Sequence, residues 1–510
     1  MANNLVSVTS DSISNKNESP EIIKKIKNRR SKEIVIGLCG AIGSGVKQIK
    51  NQLIEQLTTS NYIAEDIVVS DLLANWYEKD VSDSDNYERY KKLQDMGDDL
   101  RKSESLDFLA QLVTTHIAVI RENNFPALDD KKLESGRVAF VVDQLKHPSE
   151  IDFLRELYGS SFYQLGVLRS EYGRRDHLER SQNMSQSEIT EVMERDRKSQ
   201  HNYGQHVEKS LHRSDFFIQN RKNKNYTKEA VERFIRLMHD VNHETPTQDE
   251  IGMFGAYSAS LRSACLSRQV GAVIMDGSNI ISTGYNDVPK FGGGLYQNSD
   301  EDDNRCFNHQ ESICHNDKHK EILVKEIESV LKSNNVDNSD SVANKILENT
   351  KAKSIIEYSR AIHAEMAAIM AVAASGNAST QGKVMYCTTF PCHICARHIV
   401  ASGIEKVIYI EPYEKSLALD LHGDAITTSV DEVVNSKVVF QNFQGVSPKR
   451  YAKFFEYNAK RKDTSGKAQT NLIASSNHAE HRHLDAFHIY EKNTAKHVES
   501  RKKQIELAKQ

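Results

Sequence analysis

The chain has 510 residues with a formal net charge of −4, and 27% of its residues are charged. A net charge so close to zero gives no overall electrostatic argument for nucleic-acid binding, and no apolar run approaches the roughly 18 residues of a membrane-spanning helix. The first residues lack the apolar core of a secretory signal, so the seven cysteines are expected to be reduced thiols, some of them on metal. We predict a cytoplasmic protein without membrane contact and, at roughly 150 residues per domain, two to four domains.

The first half of the chain predicts a polar tail followed by an α/β domain. Residues 1–31 are rich in Ser, Asn and Lys and end in a basic stretch, which predicts a disordered tail. Residues 32–245 contain four short apolar runs, EIVIGLCG, GRVAFVVD, SFYQLGVL and SDFFIQN, separated by helical stretches. This alternation predicts a parallel sheet with helices on both faces.

The first predicted strand leads into a glycine-rich loop with the spacing of a phosphate-binding loop. Gly40 and Gly45, with Gly43 between them, match G-x-x-x-x-G-K-[ST], but Val46 and Lys47 occupy the positions of the phosphate-bridging Lys and the magnesium-binding Ser/Thr. Backbone N–H groups can still hold phosphate, with Lys47 supplying some charge, but phosphoryl transfer needs the missing metal ligand. The loop therefore favours nucleotide binding without phosphoryl transfer. The alternatives are a purely structural remnant and an active kinase.

Three further segments of the first domain resemble the nucleoside-monophosphate and dephospho-coenzyme-A kinase group. They are DQLKHPSEIDFLREL, which begins at Asp143, then ERDRKS and DFFIQN. Asp143 ends a predicted strand at the position of a Walker B aspartate. The resemblance implies a P-loop kinase-like parallel sheet in this domain.

A second α/β domain is predicted over residues 246–462. QVGAVIMDGSNIISTGYN reads as two strands joined by an Asp-Gly turn, which is a hairpin pattern. A long polar insertion follows at about residues 287–354, and helices then alternate with the strands VMYCTT and KVIYIEPY. Residues 463–510 are polar and basic and predict either a loose tail or a helix that forms with a partner.

The chemistry of the second domain is indicated by two short motifs. His363-Ala364-Glu365 and Pro391-Cys392-x-x-Cys395 form the H-x-E…P-C-x-x-C signature of zinc-dependent nucleobase deaminases. His363, Cys392 and Cys395 would bind Zn²⁺ and leave one position for a water molecule, whose pKa falls to about 7 on the metal. Glu365 would move the proton from that water to the base and then to the leaving ammonia.

A structural zinc site is the alternative for this motif, and it would need a fourth protein ligand. His393 is close in sequence, but it lies between the two cysteines and should point elsewhere on the helix. The helix N-terminus predicted at Cys392 favours thiolate over thiol. Cys387, within a predicted strand, is expected to be a buried core thiol.

The segments SRQVGAVIMDGSNIISTGYNDVP, RAIHAEMAAI and YCTTFPCHICARHIVASGIEKVIYIEPY together resemble the deoxycytidylate deaminase family. The resemblance implies a cytidine-deaminase-like α/β/α domain in which Asn286 contacts the sugar and the backbone at Ala364 helps to read the base. It also implies that Arg268 or Arg262 meets the phosphate, although a surface salt bridge is an equal alternative for either. The chain departs from the family pattern at Asp287, where a glycine is usual, and in the length of the insertion.

The insertion carries a run of metal-ligand residues in CFNHQESICHNDKH. They are Cys306, His309, Cys314, His315 and His319. Their softness and spacing suit a second, structural zinc. The alternative is ordinary cysteines and surface histidines in a loop.

The combination of a degenerate P-loop domain and a deaminase domain resembles the bacterial antiphage deoxycytidine nucleotide deaminases. This resemblance implies conversion of dCTP and dCMP to dUTP and dUMP during infection, inhibition by a small RNA, and assembly into homo-oligomers. The basic stretches Lys24–Lys32 and Lys449–Lys467 are then candidate RNA contacts, or simply solvated faces. Because NFQGVSPKRY resembles the closing segment of this deaminase group, Lys449 and Arg450 alternatively belong to the pocket or to an interface.

Two other functions compete with nucleotide deamination. The same zinc core serves enzymes that deaminate cytosine or adenine in single-stranded nucleic acid. A regulator whose two domains only bind nucleotides would release no ammonia. The hairpin STGYN and the preceding P-loop domain favour a free nucleotide as the substrate.

Overall fold

The computed structural model describes residues 32–79, 85–124, 137–197, 199, 201–221, 223–239, 241, 244–413, 416–429, 436–456, 461–469 and 484–508. The predicted disordered tail, residues 1–31, lies outside these ranges, and so does almost all of the basic stretch Lys24–Lys32. Within the described ranges, no helix combines the length and the apolar composition needed to cross a bilayer.

The N-terminal unit is built on a parallel sheet. Its strands are β1 (Ile34–Gly40), β2 (Ile63–Ile67), β3 (Val138–Val142), β4 (Phe162–Leu168) and β5 (Phe216–Gln219). They lie in the order β5-β4-β1-β3-β2, and every neighbouring pair is parallel. The central strands are buried along their whole length, as parallel strands covered on both faces are. Sequence reasoning missed β2, because this edge strand is half-exposed and carries acidic residues in place of an apolar run.

Helices cover both faces of this sheet. They are α1 (Val46–Thr59), α2 (Val69–Tyr77), α3 (Asn86–Ser103), α4 (Phe108–Asn124), α5 (Pro148–Tyr158), α6 (Glu171–Gln182), α7 (Gln186–Arg197), α8 (Val207–Leu211) and α9 (Lys224–Met238). Leu53 of α1 and Phe234 of α9 pack in the core on one face. Val113 of α4 and Leu154 of α5 pack in the core on the other face.

The second unit is built on a mixed sheet. Its elements are α10 (Gln248–Ser260), β6 (Gly271–Asp276), β7 (Asn279–Tyr285), α11 (His315–Ser333), α12 (Ser339–Asn349), α13 (Ala364–Ser375), β8 (Val384–Thr389), α14 (His393–Ala401), β9 (Lys406–Glu411), α15 (Ala418–His422), β10 (Ile426–Thr427) and β11 (Val438–Asn442). The strand order is β10-β11-β9-β8-β6-β7. β6 is antiparallel to β7 and β8, and the other neighbours are parallel.

The predicted fold class, two α/β units of which the first has a parallel sheet and the second an α/β/α arrangement, is confirmed. The predicted hairpin is β6–β7, with Gly277 of its Asp-Gly turn at φ 57°. The polar insertion contains the two helices α11 and α12, which pack against each other.

The two units are joined by a strand that crosses from one to the other. After β11 the chain forms β12 (Gly445–Val446), which pairs antiparallel with β5 and becomes the sixth strand of the N-terminal sheet. One apolar core contains Phe217 of the N-terminal unit together with Met253, Ile408 and Phe443 of the second unit. The short helix α16 (Tyr451–Phe455) follows.

A buried carboxylate organises this junction. Glu250, 1% exposed, accepts hydrogen bonds from both terminal nitrogens of the Arg233 guanidinium at 2.7 and 2.8 Å. The same carboxylate accepts the backbone N–H of Thr247 at 2.7 Å and that of Val446 at 2.8 Å. Glu250 therefore ties α9 to the start of α10 and to β12.

The C-terminal region forms the helix α17 (Leu484–Ala508), which packs on α4 of the same chain. Val498 is buried in the core beside α4, and the Arg501 guanidinium lies 2.6 Å from the Glu104 carboxylate. Residues 484–508 therefore form a helix that docks on the N-terminal unit of the same chain, and its dependence on a partner stays a prediction.

We expect Glu250→Gln to lower the midpoint of thermal unfolding, because it leaves the largely buried Arg233 without its bidentate partner. Removing one member of a buried ion pair costs about 3–5 kcal/mol. Glu232→Gln is the matched control, since Glu232 forms an exposed pair with Lys228 at 3.9 Å on the same α9 and such pairs contribute at most about 1 kcal/mol. Equal unfolding midpoints for the two variants, measured by calorimetry, would contradict the role given to Glu250.

Candidate functional site

Helix α13 positions the first motif close against the hairpin. Gly284 on β7 has no side chain, and a Cβ there would lie 2.2 Å from the Ala364 carbonyl oxygen. The hydroxyl of Ser282 donates to the Ala368 carbonyl at 2.7 Å. This close contact fixes the N-terminus of α13, where His363 is the N-cap residue and Glu365 lies in the first turn.

The second motif begins the neighbouring helix. Cys392 is the N-cap of α14, and its sulfur accepts the backbone N–H of Cys395 at 3.4 Å. His363 Nδ1 lies 3.3 Å from Cys392 Sγ and 3.4 Å from Cys395 Sγ. The N-termini of two helices thus bring one imidazole and two thiols together.

The three side chains fit a zinc ion. Their ligand atoms all lie within 4.8 Å of one another. Zinc–nitrogen and zinc–sulfur bonds of about 2.0 and 2.3 Å at a tetrahedral angle separate nitrogen from sulfur by about 3.5 Å, close to the two distances observed. One imidazole with two thiolates is also a donor set that zinc takes with an open fourth position.

The electrostatics favour the charged sulfur. The hydrogen bond from the Cys395 thiol, with that from His363, holds the pKa of Cys392 well below its usual range. The hydrogen bond to Cys392 raises the pKa of His363 to about 9. Burial raises the pKa of the Glu365 carboxyl above its ordinary value, which is the direction required of a group that must hold and release a proton near neutral pH.

Residues 246–411 match the family model of the cytidine and deoxycytidylate deaminase zinc-binding region. Over 167 residues the chain is 36% identical to the deoxycytidylate deaminase of Enterobacteria phage T2. The matched region covers 32% of this chain and 78% of the phage protein. The chain belongs to the cytidine and deoxycytidylate deaminase family. It is a hydrolytic deaminase, and zinc is its cofactor.

Two solved structures are also similar to parts of this deaminase. The dCMP deaminase of cyanophage S-TIM5 in complex with dCMP and dUMP is 19% identical, with a TM-score of 0.23, over 39% of this chain and all of the phage chain. A shikimate kinase from Acinetobacter baumannii is 9% identical, with a TM-score of 0.24, over 40% of this chain and 92% of the kinase. At these scores neither likeness supports a conclusion about the site.

Asn286 and Asp287 shape the loop beside the metal ligands. The Asn286 side chain donates to the Arg268 carbonyl at 2.8 Å and accepts the Val270 N–H at 2.7 Å. The buried Asp287 carboxylate accepts a hydrogen bond from the N–H of Ala264 at 2.9 Å. The backbone carbonyl of Asp287 accepts one from the N–H of Ile362 at 3.0 Å. The side chain of Asp287, a departure from the family pattern, therefore ties this loop to Ala264, while its backbone meets the residue before His363. Sequence reasoning did not foresee this role.

The structure separates the two arginines proposed for phosphate. Arg268 is exposed, and its guanidinium lies 5.8 Å from the ring centre of Tyr413, a residue on the loop after β9. Arg262 is also exposed, and it stacks 4.4 Å above the ring of Tyr285. Neither makes an ion pair with a described residue, so the surface salt bridge that was the alternative for both is not observed.

The second predicted metal site remains a prediction. His309 and His315 have ring centres 5.7 Å apart, and the pKa of Cys306 is raised by burial and, less strongly, by Cys265 and Cys314 nearby. Cys265 was not foreseen as part of this cluster, because it lies before the hairpin in the sequence. Among the described residues, only His363, Cys392 and Cys395 bring three ligand atoms within 4.8 Å of one another.

The glycine-rich loop has the backbone of a phosphate nest. Gly43 and Gly45 have φ angles of 80° and 81°, and Gly45 caps α1. Gly40 ends β1, and Lys47 is exposed on the first turn of α1. The N–H of Ile42, however, donates to the Asp196 carboxylate at 2.8 Å. A side chain of the protein itself therefore occupies one donor of the nest.

The Walker B position is also occupied by an internal partner. Asp143 accepts from the Lys50 ammonium at 3.0 Å and from the Val69 N–H at 2.9 Å. Lys50, 3% exposed, also lies 2.7 Å from Asp66. Burial alone would lower the pKa of Lys50, but the two carboxylates raise it. A buried ammonium thus stands beside the carboxylate that would serve a magnesium ion, and sequence reasoning did not find it.

Zinc content tests both metal predictions. We expect Cys395→Ala to lose the zinc held by His363, while Cys39→Ala, a buried thiol of β1 far from that site in sequence, keeps it. Emission spectrometry on the purified chain should give two zinc ions if the insertion also binds one. The variant Cys306→Ala should then lose one ion and retain the other. A wild-type value of one ion that Cys306→Ala leaves unchanged would remove the second site.

Proposed function

We propose that this deaminase hydrolyses deoxycytidine nucleotides, dCMP and dCTP, to dUMP and dUTP with release of ammonia. The observation that carries the proposal is the set of three metal-ligand side chains together with a buried carboxylate, Glu365, two residues after His363 in the first turn of α13. The name of the phage T2 relative, deoxycytidylate deaminase, supports a deoxycytidine nucleotide as the substrate.

Each residue of the site has a role in this proposal. Zinc, when bound by His363, Cys392 and Cys395, lowers the pKa of a water molecule to about 7 and so supplies hydroxide at neutral pH. Glu365 holds the proton taken from that water and delivers it to N3 of the cytosine and then to the departing amino group. Its burial keeps bulk water from competing for the proton.

Substrate contacts follow from the loop geometry. Asn286 would meet the sugar, the Ala364 backbone would contact the base, and Arg268 would meet the phosphate. The exposed Arg268 beside Tyr413 suits the phosphate better than Arg262, whose guanidinium stacks on Tyr285. The Asn286 side chain also donates a hydrogen bond to the backbone carbonyl of Arg268, so a shift of Asn286 on binding the sugar would also move Arg268.

The N-terminal unit is proposed to bind a nucleotide without transferring a phosphoryl group. The pairing of Lys50 with Asp143 supports the absence of phosphoryl transfer. That reaction requires a magnesium ion held near the phosphates, and Asp143 is the carboxylate that would hold it. Gly40, Gly43, Gly45 and Lys47 remain the predicted phosphate contacts of the loop.

The antiphage role is proposed from the union of this unit with a deaminase. In that role the enzyme would deplete dCTP in the cytoplasm, assemble as a homo-oligomer, and be held inactive by a small RNA. The Arg450 guanidinium lies 3.2 Å from Asp215 of the N-terminal unit. This contact supports an interface role for Arg450 within Lys449–Lys467 over direct RNA contact.

Deamination of single-stranded nucleic acid is the second candidate, since the same catalytic residues serve it. The two candidates differ in the substrate that the loop around Asn286 must accept. We propose the free nucleotide, and a parallel assay decides between the two.

We expect the zinc-loaded protein to release ammonia from dCMP or dCTP and not from single-stranded DNA or CTP. Glu365→Gln should reduce kcat by at least about a hundredfold, the lower range for general acid–base catalysis, with zinc content unchanged. Glu357→Gln, an exposed carboxylate before the motif, is the control and should retain full activity. Full activity of Glu365→Gln, or release from DNA alone, would overturn the proposal.

We also expect no phosphate release from ATP with magnesium by the purified protein. The reason is that Lys50 neutralises the carboxylate that would coordinate the metal. A malachite-green assay measures phosphate release directly. The variant Lys50→Met removes the ammonium and keeps the glycine-rich loop, so it shows whether the ammonium alone prevents phosphoryl transfer. If the wild-type protein hydrolysed ATP and this turnover required Asp143, the ion pair between Lys50 and Asp143 would not block phosphoryl transfer.

A further inference from the structure

A cleft of about 480 Å³ lies between the two units. On one side it is lined by residues that follow β1, β4 and β5, and on the other by residues at the ends of β9 and β11. The carboxyl ends of parallel strands in both sheets therefore face the same space. Ligands of open α/β sheets bind outside these strand ends, and the volume is within the range of small-molecule sites.

The N-terminal wall of the cleft is basic. Four arginines line it, and these are Arg169, Arg174, Arg197 and Arg221. The Arg174 guanidinium makes no hydrogen bond or ion pair with any residue that the structure describes, and burial lowers its pKa. A partly buried cation without an ion-pair partner is costly, so its position favours an anion in the cleft.

Acidic residues offset the arginines only in part, because burial lowers the pKa of Arg174 more than Asp196 and Glu171 raise it. Glu171 lies 3.0 Å from Arg175, and Asp176 lies 2.8 Å from Arg180. Glu208 is the remaining carboxylate of the wall. Two of the three carboxylates thus have arginine partners other than the four that line the cleft.

The glycine-rich loop adds an unsatisfied polar group to this wall. Ser44 lines the cleft and is 1% exposed, and its hydroxyl oxygen has no hydrogen-bond partner within the part of the chain that the structure describes. Its carbonyl accepts from the Asn220 side chain at 2.8 Å, which holds the loop against the end of β5. A buried polar atom without a partner is costly, so this part of the loop is a polar group that the protein alone leaves unsatisfied.

The opposite wall is aromatic. It contains Phe390, Tyr409, Tyr413 and Phe440. The ring of Phe390 lies 4.9 Å from that of Tyr409 and 5.4 Å from that of Phe440, both edge to face. Aromatic faces next to a basic wall suit a ligand that joins a flat ring to a phosphate chain.

We propose that this cleft binds a nucleoside triphosphate, with the phosphates toward Arg169 and Arg174 and the base against the aromatic wall. The inference extends the proposed nucleotide binding by the N-terminal unit. It replaces the phosphate contacts predicted above for the nest, where Asp196 occupies the Ile42 N–H, by the face of the loop that carries Ser44.

The ligand would also contact the segment that carries the zinc ligands. Phe390 immediately precedes Pro391 and Cys392, and its N–H donates to the Glu411 carbonyl at 2.7 Å. The Ser416 hydroxyl, on the same wall, donates to the Pro391 carbonyl at 2.7 Å. Occupancy of the cleft is therefore expected to change the kinetics of the deaminase site.

Calorimetric titration of the full chain tests the binding site. The probes are ATP, GTP and UTP, none of which carries cytosine, together with inorganic tripolyphosphate and adenosine. At least one nucleotide should bind saturably, tripolyphosphate should bind more weakly, and adenosine should not bind detectably. Arg174→Gln should weaken nucleotide binding at least tenfold, while Lys209→Gln, which removes an exposed charge from α8 outside the cleft, should not change it.

Three results would overturn the site. They are absence of binding by all three nucleotides, equal binding by wild type and Arg174→Gln, and tripolyphosphate binding as tightly as the nucleotide. These outcomes do not depend on catalysis, so Glu365→Gln should bind the probe as the wild type does even if the proposed deamination fails. With an active enzyme, the bound nucleotide should alter kcat or KM for dCMP in the wild type and not in Arg174→Gln.

Discussion

The buried carboxylate of Glu250 is the interaction on which the relation of the two units depends. It accepts hydrogen bonds from Arg233 on α9, from the first turn of its own helix α10, and from Val446 on β12. A charge this deeply buried is tolerated only when its partners are held in place. The three elements are therefore fixed together, and the end of the deaminase unit is held as a strand of the N-terminal sheet.

This arrangement determines where the two functional regions lie. The zinc ligands are at the N-termini of α13 and α14, and these helices pack on one face of the second sheet. The other face packs on α10 and on the N-terminal unit. Phe390 and Ser416 both line the cleft between the units. Phe390 lies two residues before the zinc ligand Cys392, and the Ser416 hydroxyl donates to the carbonyl of Pro391 between them.

The glycine-rich loop of the N-terminal unit is largely engaged by side chains of the protein itself. The loop has the left-handed backbone of a phosphate nest, yet Asp196 occupies one donor and Lys50 pairs with Asp143. Both groups are held in the low-dielectric interior, where an unpaired charge is costly. In the cleft, the Ser44 hydroxyl and the Arg174 guanidinium have no hydrogen-bond partner among the described residues.

The sequence by itself determined the fold class and predicted the zinc ligands and Glu365, because strand alternation and the H-x-E…P-C-x-x-C spacing depend on residues close together in the chain. It located the central strands of the first sheet but not the edge strand β2, whose acidic residues hide its pattern. Only the tertiary structure decided that Lys50 meets Asp143, that Asp196 reaches Ile42, and that Asp287 supports the residue before His363. Each of these contacts joins residues far apart in the chain, and their geometry exists only after the sheets and helices have packed.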